Sequence, residues 1–334
     1  MPETPVQESP SLSALAPSRL ARLQQWAVCV ALAAALGWGL WVWPHSPAAA
    51  LAGVALLLGG YALVLALELV AVARVHGADP APRPRWADLA RAWWQEVRMA
   101  PRVFAWRQPF VWRRWPDTLA APACSASGAG AVVFVHGFVC NRGFWHPWMR
   151  ELRRLGVPYV SVNLEPVFGS IDDYVPLMEQ AVRRAEALGG LPPQLVCHSM
   201  GGLAARAWLV ADVANPARVQ RVLSIGTPHH GTWLGQFSHL PNGRQMRMHS
   251  PWLQALAAAE AQHAPEATYR QFICWYANTD NIVFPASTAT LPGADNRLVP
   301  GAAHVAMAFH PRVMRESLAL LAPGASSPCA ATAV

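Results

Sequence analysis

A serine at a sharp turn between an apolar run and a helix is the feature with most chemical content. It is Ser199, in Leu195-Val-Cys-His-Ser199-Met-Gly-Gly-Leu203. Residues 195–197 read as the end of a buried strand, and residues 203–210 read as a helix. Such a turn strains the serine backbone and lifts its hydroxyl above the sheet. It also leaves the N–H of Met200 at a helix N-terminus, where developing negative charge is stabilised. Gly201 and Gly202 suit the close approach of strand and helix at this point. The plain alternative is an ordinary strand, glycine turn and helix with a buried serine. A serine hydroxyl becomes a useful nucleophile only when a base takes its proton and an acid orients that base.

The stretch resembles the G-x-S-x-G lipase box of the α/β-hydrolase superfamily, with Cys197 where the first Gly is expected. Cys is small, which leaves room for the turn to form. The resemblance implies the chain order Ser, then Asp or Glu, then His. Asp280 lies in Ala277-Asn-Thr-Asp280-Asn-Ile-Val-Phe-Pro285, which resembles the acid loop of many lipases. Asp212 and Asp295 are weaker rivals, and an Asx turn is the alternative reading of Asp280. His304, in Val299-Pro-Gly-Ala-Ala-His304, stands where the superfamily places its histidine. His310 is the runner-up and reads better as a cap for the helix that begins beside Pro311. His136, His198, His229 and His230 all precede Asp280 and break the implied order.

An oxyanion hole needs two fixed N–H donors. Met200 supplies one. The other is assigned to Phe138 by the resemblance of Phe134-Val-His136-Gly137-Phe138 to the oxyanion loop of bacterial lipases. Ile225-Gly-Thr-Pro228-His-His-Gly231-Thr232 resembles a further stretch of triacylglycerol lipases. Residues 232–268 follow with Trp233, Phe237, Leu240 and Trp252. The resemblance implies a lid-like insertion there, and a packed insertion is the alternative.

The elements that must carry these residues alternate. Residues 131–135, 159–163, 195–197, 219–225, 271–276 and 297–299 read as strands, and residues 144–155, 172–188, 203–210 and 311–321 as helices. The expectation is therefore an α/β fold of the α/β-hydrolase type over residues 126–323: a mostly parallel, doubly wound sheet with a lid-like insertion.

The N-terminal third is of a different kind. Residues 1–18 are rich in Pro, Ser and Glu, and a disordered tail is expected up to about residue 25. Residues 26–43 and 48–67 carry no charge, and Glu68 stands near the end of the second run. The first run reaches about 27 Å as a helix, close to the thickness of a bilayer core. Trp38, Trp41 and Trp43 gather at one end of it, as an interfacial belt does. The reading is a transmembrane helical hairpin over residues 26–75, and a cleaved signal peptide is the competing one. Glu68 is expected at the interface or snorkelling. Arg19 and Arg22 precede the pair, Arg74, Arg83, Arg85 and Arg91 follow it, and the connecting turn has no Arg. The positive-inside rule then puts the catalytic domain on the cytoplasmic side of a bacterial inner membrane.

Residues 76–125 form a basic, Trp-rich juxtamembrane segment. Between Arg74 and Arg114 nine Arg face three acidic residues, most of the formal net charge of +7. This suits anionic lipid headgroups, and nothing outside it suggests a nucleic-acid surface. The helical stretch 88–99 is expected to lie on the membrane surface, or else to pack on the catalytic domain. The six Cys are scattered with no C-x-x-C pair, compatible with a reducing compartment. No metal or organic cofactor is implied. Residues 324–334 are expected to be a tail.

The functional expectation is a membrane-anchored serine hydrolase, of lipase or esterase type, acting on hydrophobic or lipid-like carboxylic esters. An acyltransferase using Ser199, Asp280 and His304 is one alternative. A catalytically inactive hydrolase fold serving as a membrane-bound binding module is the other.

Overall fold

Residues 18–119, 129–263 and 269–323 are described in a computed structural model of the chain. Residues 1–17 of the expected N-terminal tail, the expected tail at residues 324–334, residues 120–128, and residues 264–268 of the lid-like segment lie outside the described residues.

The apolar runs form six strands: β1 Val132–Val135, β2 Tyr159–Ser161, β3 Gln194–His198, β4 Arg221–Ile225, β5 Phe272–Tyr276 and β6 Asp295–Leu298. They make one parallel sheet in the order β2-β1-β3-β4-β5-β6. The chain winds outward from β1 to β2, then returns to place β3 on the other side of β1. Open α/β sheets bind their ligands at the carboxyl ends of the strands flanking such a reversal, here β1 and β3. The last strand begins at Asp295, so this rival acid opens β6, where it is ion-paired with Arg297.

Alternation along the strands divides the core in two. Val133, Val135, Leu195 and Cys197 point to the face covered by α7 Val175–Glu186 and α8 Met200–Ala211. Val132, Phe134, Val196 and Leu223 point to the face covered by α6 His146–Arg154 and α12 Pro311–Leu321. Both faces being apolar explains why the strands read as continuous hydrophobic runs. The helices expected at 144–155 and 172–188 each divide into a 3-10 turn and an α-helix, because Pro147 and Pro176 sit in the first α-helical turns. Within the lid-like segment, α9 Pro241–Gln245 and α10 Pro251–His263 are helical. Arg206 of α8 meets Glu260 of α10 in a buried ion pair at 2.7 Å, which fastens α10 to the helix behind the elbow.

The N-terminal helices are α1 Arg19–Val42, α2 Pro47–Gly59, α3 Tyr61–Val75 and α4 Trp86–Ala100, followed by a π-helical turn at Pro101–Arg107 and α5 Gln108–Phe110. Among the described residues α1 is long and apolar enough to cross a bilayer, with a mean hydropathy of 1.6. It starts at Arg19, inside the expected tail, because Ser18 caps it and Leu20, Ala21 and Gln24 are buried. The second apolar run is not one straight helix. It bends by 54° between α2 and α3, at the pair Gly59-Gly60. α1 and α2 pack closely: a Cβ on Gly53 would overlap the indole of Trp38, whose Nε1 donates to the carbonyl of Ala49.

These helices also touch the domain built on the sheet. Leu69 and Val72 of α3, with Leu89 and Ala92 of α4, bury against Phe284, Ala303 and Ala306. α4 thus lays one face on the sheet domain, while Trp86 and Trp94 stay exposed on the other. Glu68 does not snorkel. It turns onto the loop after β5, where its Oε2 accepts from Nδ2 of Asn281 at 2.7 Å.

Candidate active site

The elbow is built as its residue types demand. Ser199 has φ 54° and ψ −130°, a conformation that is costly for a residue with a side chain. Its N–H donates to the carbonyl of Ile225 at 2.9 Å, which holds the turn between β3 and β4. Gly201 and Gly202 begin α8 rather than preceding it. A Cβ on Gly201 would lie 2.5 Å from the carbonyl oxygen of Val135, and one on Gly202 would lie 2.2 Å from Oγ1 of Thr227. Cys197, in the place of the first glycine, is fully buried and pairs with Val135 and Ser224 in the sheet. Its side chain joins the core on the α7/α8 face, and burial pushes the thiol pKa up. Cys197 is therefore accommodated as a small core residue, with a neutral thiol.

Asp280 and His304 come together from separate loops. Nδ1 of His304 lies 2.9 Å from Oδ2 of Asp280, and both side chains are buried. A carboxylate only accepts, so the shared proton sits on Nδ1 and leaves Nε2 of the imidazole as the basic atom. The other Asp280 oxygen accepts from the N–H groups of Ile282 and Val283, at 2.9 and 2.8 Å. One oxygen of Asp280 thus makes an Asx turn while the other faces His304. Burial pulls the His304 pKa down, but Asp280, with Glu96 and Glu68 beyond it, outweighs that and holds it above its ordinary value.

Gly226, after β4, is where this pair meets the sheet. Any Cβ there would come within 3.0 Å of Oδ2 of Asp280 and 3.1 Å of Nδ1 of His304. The Gly-Thr-Pro-His-His-Gly stretch then braces the acid loop: the Thr232 hydroxyl donates to the carbonyl of Ile282, and Trp233 N–H donates to that of Phe284 at 2.9 Å.

The loop after β1 runs against the elbow. A Cβ on Gly137 would lie 2.7 Å from Cβ of Ser199. Phe138 follows, partly buried and in edge contact with Phe168. Met200 is the first residue of α8, and its N–H is among those that a helix leaves without an internal partner. His136 shapes this loop: its Nε2 accepts from the N–H of Leu164 at 3.0 Å, and burial lowers its pKa to about 4, so it is neutral.

The rival residues lie elsewhere. Asp212 follows the end of α8, and His310 caps α12 by accepting from the N–H of Arg312. His198 stacks on Phe144, and its Nε2 lies 3.2 Å from the carbonyl oxygen of His304. His229 is held by the Ser224 hydroxyl at 2.9 Å. Sequence reasoning missed Asn281, whose Oδ1 accepts from the N–H of His304 at 3.1 Å, and Glu96, buried behind the same turn. A signal for Glu96 was present. It shares a helix face with Leu89 and Ala92, and a carboxylate on an apolar face needs a partner.

Six parallel strands, a strained serine after β3, and an Asp–His pair at the carboxyl ends of later strands define a class. The chain belongs to the alpha/beta hydrolase family, whose sequence model matches residues 132–317. In fold it is similar to the mature form of the lipase BlEst2 of Bacillus licheniformis, at a TM-score of 0.53 and 16% identity, over 60% of this chain and 95% of that one. It is also similar to lipase B of Aspergillus fumigatus, at a TM-score of 0.50 and 17% identity, over 60% of this chain and 55% of that one. No curated protein sequence matches the chain. It is thus an α/β-hydrolase that resembles lipases and esterases.

Proposed function

We propose that the protein is a membrane-anchored serine hydrolase that cleaves carboxylic esters of hydrophobic alcohols or acids through an acyl-enzyme. The observation that carries this is the buried pair of His304 Nδ1 and Asp280 Oδ2 at 2.9 Å against Gly226, with a serine at φ 54° bonded to Ile225, the residue before that glycine. Oγ of Ser199 attacks the acyl carbonyl while Nε2 of His304 takes its proton. The N–H groups of Phe138 and Met200 receive the oxyanion. A donor of this kind is worth about 3 kcal/mol to the transition state. The imidazolium then gives its proton to the leaving alkoxide, with Asp280 stabilising its charge. Water, activated by the same imidazole, releases the acid and frees Ser199.

The anchor is assigned to α1 with the bent pair α2 and α3. The reading is supported by the length of α1 and by the exposure of Trp26, Leu36, Leu40 and Trp41 along it. The Arg asymmetry favours a catalytic domain on the cytoplasmic side. Exposed Phe237 and Leu240 give the insertion an apolar surface suited to acyl chains.

Hydrolysis of p-nitrophenyl esters from acetate to palmitate, by full-length wild type and Ser199→Ala in detergent, tests the proposal. Activity that rises with chain length and vanishes in the variant supports it. Equal rates for the two proteins would overturn it. An added alcohol that diverts product from acid to ester would move the assignment to acyl transfer.

A further inference from the structure

The turn that carries His304 is held from outside the region that matches the family. In α11 His304–Met307, three successive N–H groups end on side-chain oxygens. That of His304 donates to Oδ1 of Asn281 at 3.1 Å. Those of Val305 and Ala306 donate to Oε1 and Oε2 of Glu96, each at 2.9 Å. Glu96 lies on α4, before the family match begins at residue 132, and is 2% exposed. Asn281 is in turn oriented by Glu68 of α3, through its Nδ2 at 2.7 Å. Apolar contacts repeat the pattern, since Ala303 and Ala306 bury against Leu69, Val72, Leu89 and Ala92.

A buried carboxylate carries a large desolvation cost, and an apolar side chain would seal this contact without it. What Glu96 adds is direction. Two oxygens in one plane fix two adjacent peptide groups, and so fix the φ and ψ of the residues following His304. We infer that Glu96 is a positioning residue for the His304 imidazole, with Glu68 acting through Asn281 as its second brace, so that docking of α3 and α4 sets the competence of the site. The inference rests on the assignment of Ser199, Asp280 and His304 above.

The electrostatics agree with the geometry. The titratable groups facing His304 are Asp280 on the acid loop, Glu68 on α3, Glu96 on α4 and His198 on β3. The three carboxylates favour its charged form, while His198 stays neutral because burial, then the His304 charge, hold its pKa far below the ordinary value. Glu96 faces His304 and Asp280, and its own pKa is raised to about 7, chiefly by burial.

The test uses full-length Glu96→Ala, Glu96→Gln and Glu68→Gln in detergent. Active sites are counted by phosphonate titration, so that unfolded protein does not enter kcat. Glu96→Ala is expected to lower kcat about 10²-fold, the scale of a 1 Å misplacement, with little change in KM. Glu96→Gln keeps one acceptor oxygen and loses the charge. It is expected to recover part of kcat and to move the acid limb of the kcat/KM profile to lower pH. Glu68→Gln is expected to shift the limb in the same direction, by less. A merely structural residue would lower stability without moving that limb. If Glu96→Ala does not fold, Glu96→Gln decides. Wild-type kcat and an unmoved acid limb in Glu96→Gln would overturn the inference. A wild type without ester hydrolysis or phosphonate labelling would instead overturn the assignment on which it rests.

Discussion

Ser199 and His304 lie more than a hundred positions apart with Asp280 between them, yet sequence singles out each because its local context is demanding. The strained serine needs small residues after it, and Gly201 and Gly202 supply them. Asp280 precedes an apolar run that can donate two N–H groups to it. What sequence could not reveal is which partner a side chain finds across the fold, such as Glu68 for Asn281 and the turn after His304 for Glu96. Asp280→Asn is expected to lower kcat about 10⁴-fold with little change in thermal stability, since the amide favours the wrong tautomer of His304. The pH dependence of the wild type follows from the raised His304 pKa. Catalysis needs the neutral imidazole, so kcat/KM should rise through an acid limb lying above the ordinary value of 6.5. The stability that His304 contributes runs the other way: it is present in full below the unfolded pKa and is lost as pH rises through the folded one. A limb at or below 6.5 would contradict the placement of the three carboxylates.

The strands and helices of the sheet were legible from apolar periodicity and from Pro and Gly punctuation, with ends displaced by a few residues. Boundaries slipped where glycine or proline acts inside a helix, as at Gly201 in α8 and Pro147 in α6. The bend at Gly59-Gly60 was not anticipated, because the run is uniformly apolar on both sides. Two predictions belong to elements. Gly201→Ala puts a methyl against the carbonyl of Val135 and is expected to destabilise the fold by about 1–3 kcal/mol, measured by denaturant unfolding. Glu260→Ala leaves Arg206 charged and buried without its carboxylate. A loss of about 3–5 kcal/mol is expected, with loosening of α10 visible as faster amide exchange. Unchanged exchange in α10 would show that this pair does not fasten the insertion.

At the scale of the whole molecule, the family domain and the N-terminal helices share an interface at the His304 turn rather than being joined by a tether. Hydropathy found the apolar helices, but amphipathic contacts such as Leu69 and Val72 against Ala303 are invisible in a run with no polar face. The protein is expected to remain with the membrane fraction at high salt and to be released by detergent. A reporter fused at the C-terminus should be active on the cytoplasmic side, and one active only in the periplasm would reverse the assigned orientation. The assignment of Ser199 as the nucleophile activated by His304 calls for covalent capture. Full-length protein in detergent would be treated with an alkyl phosphonate and the adduct mapped by peptide mass spectrometry. One adduct is expected, at Ser199, formed slowly in His304→Asn and absent in Ser199→Ala. A wild type that hydrolyses esters with no adduct at Ser199, or with the adduct on another residue, would contradict it.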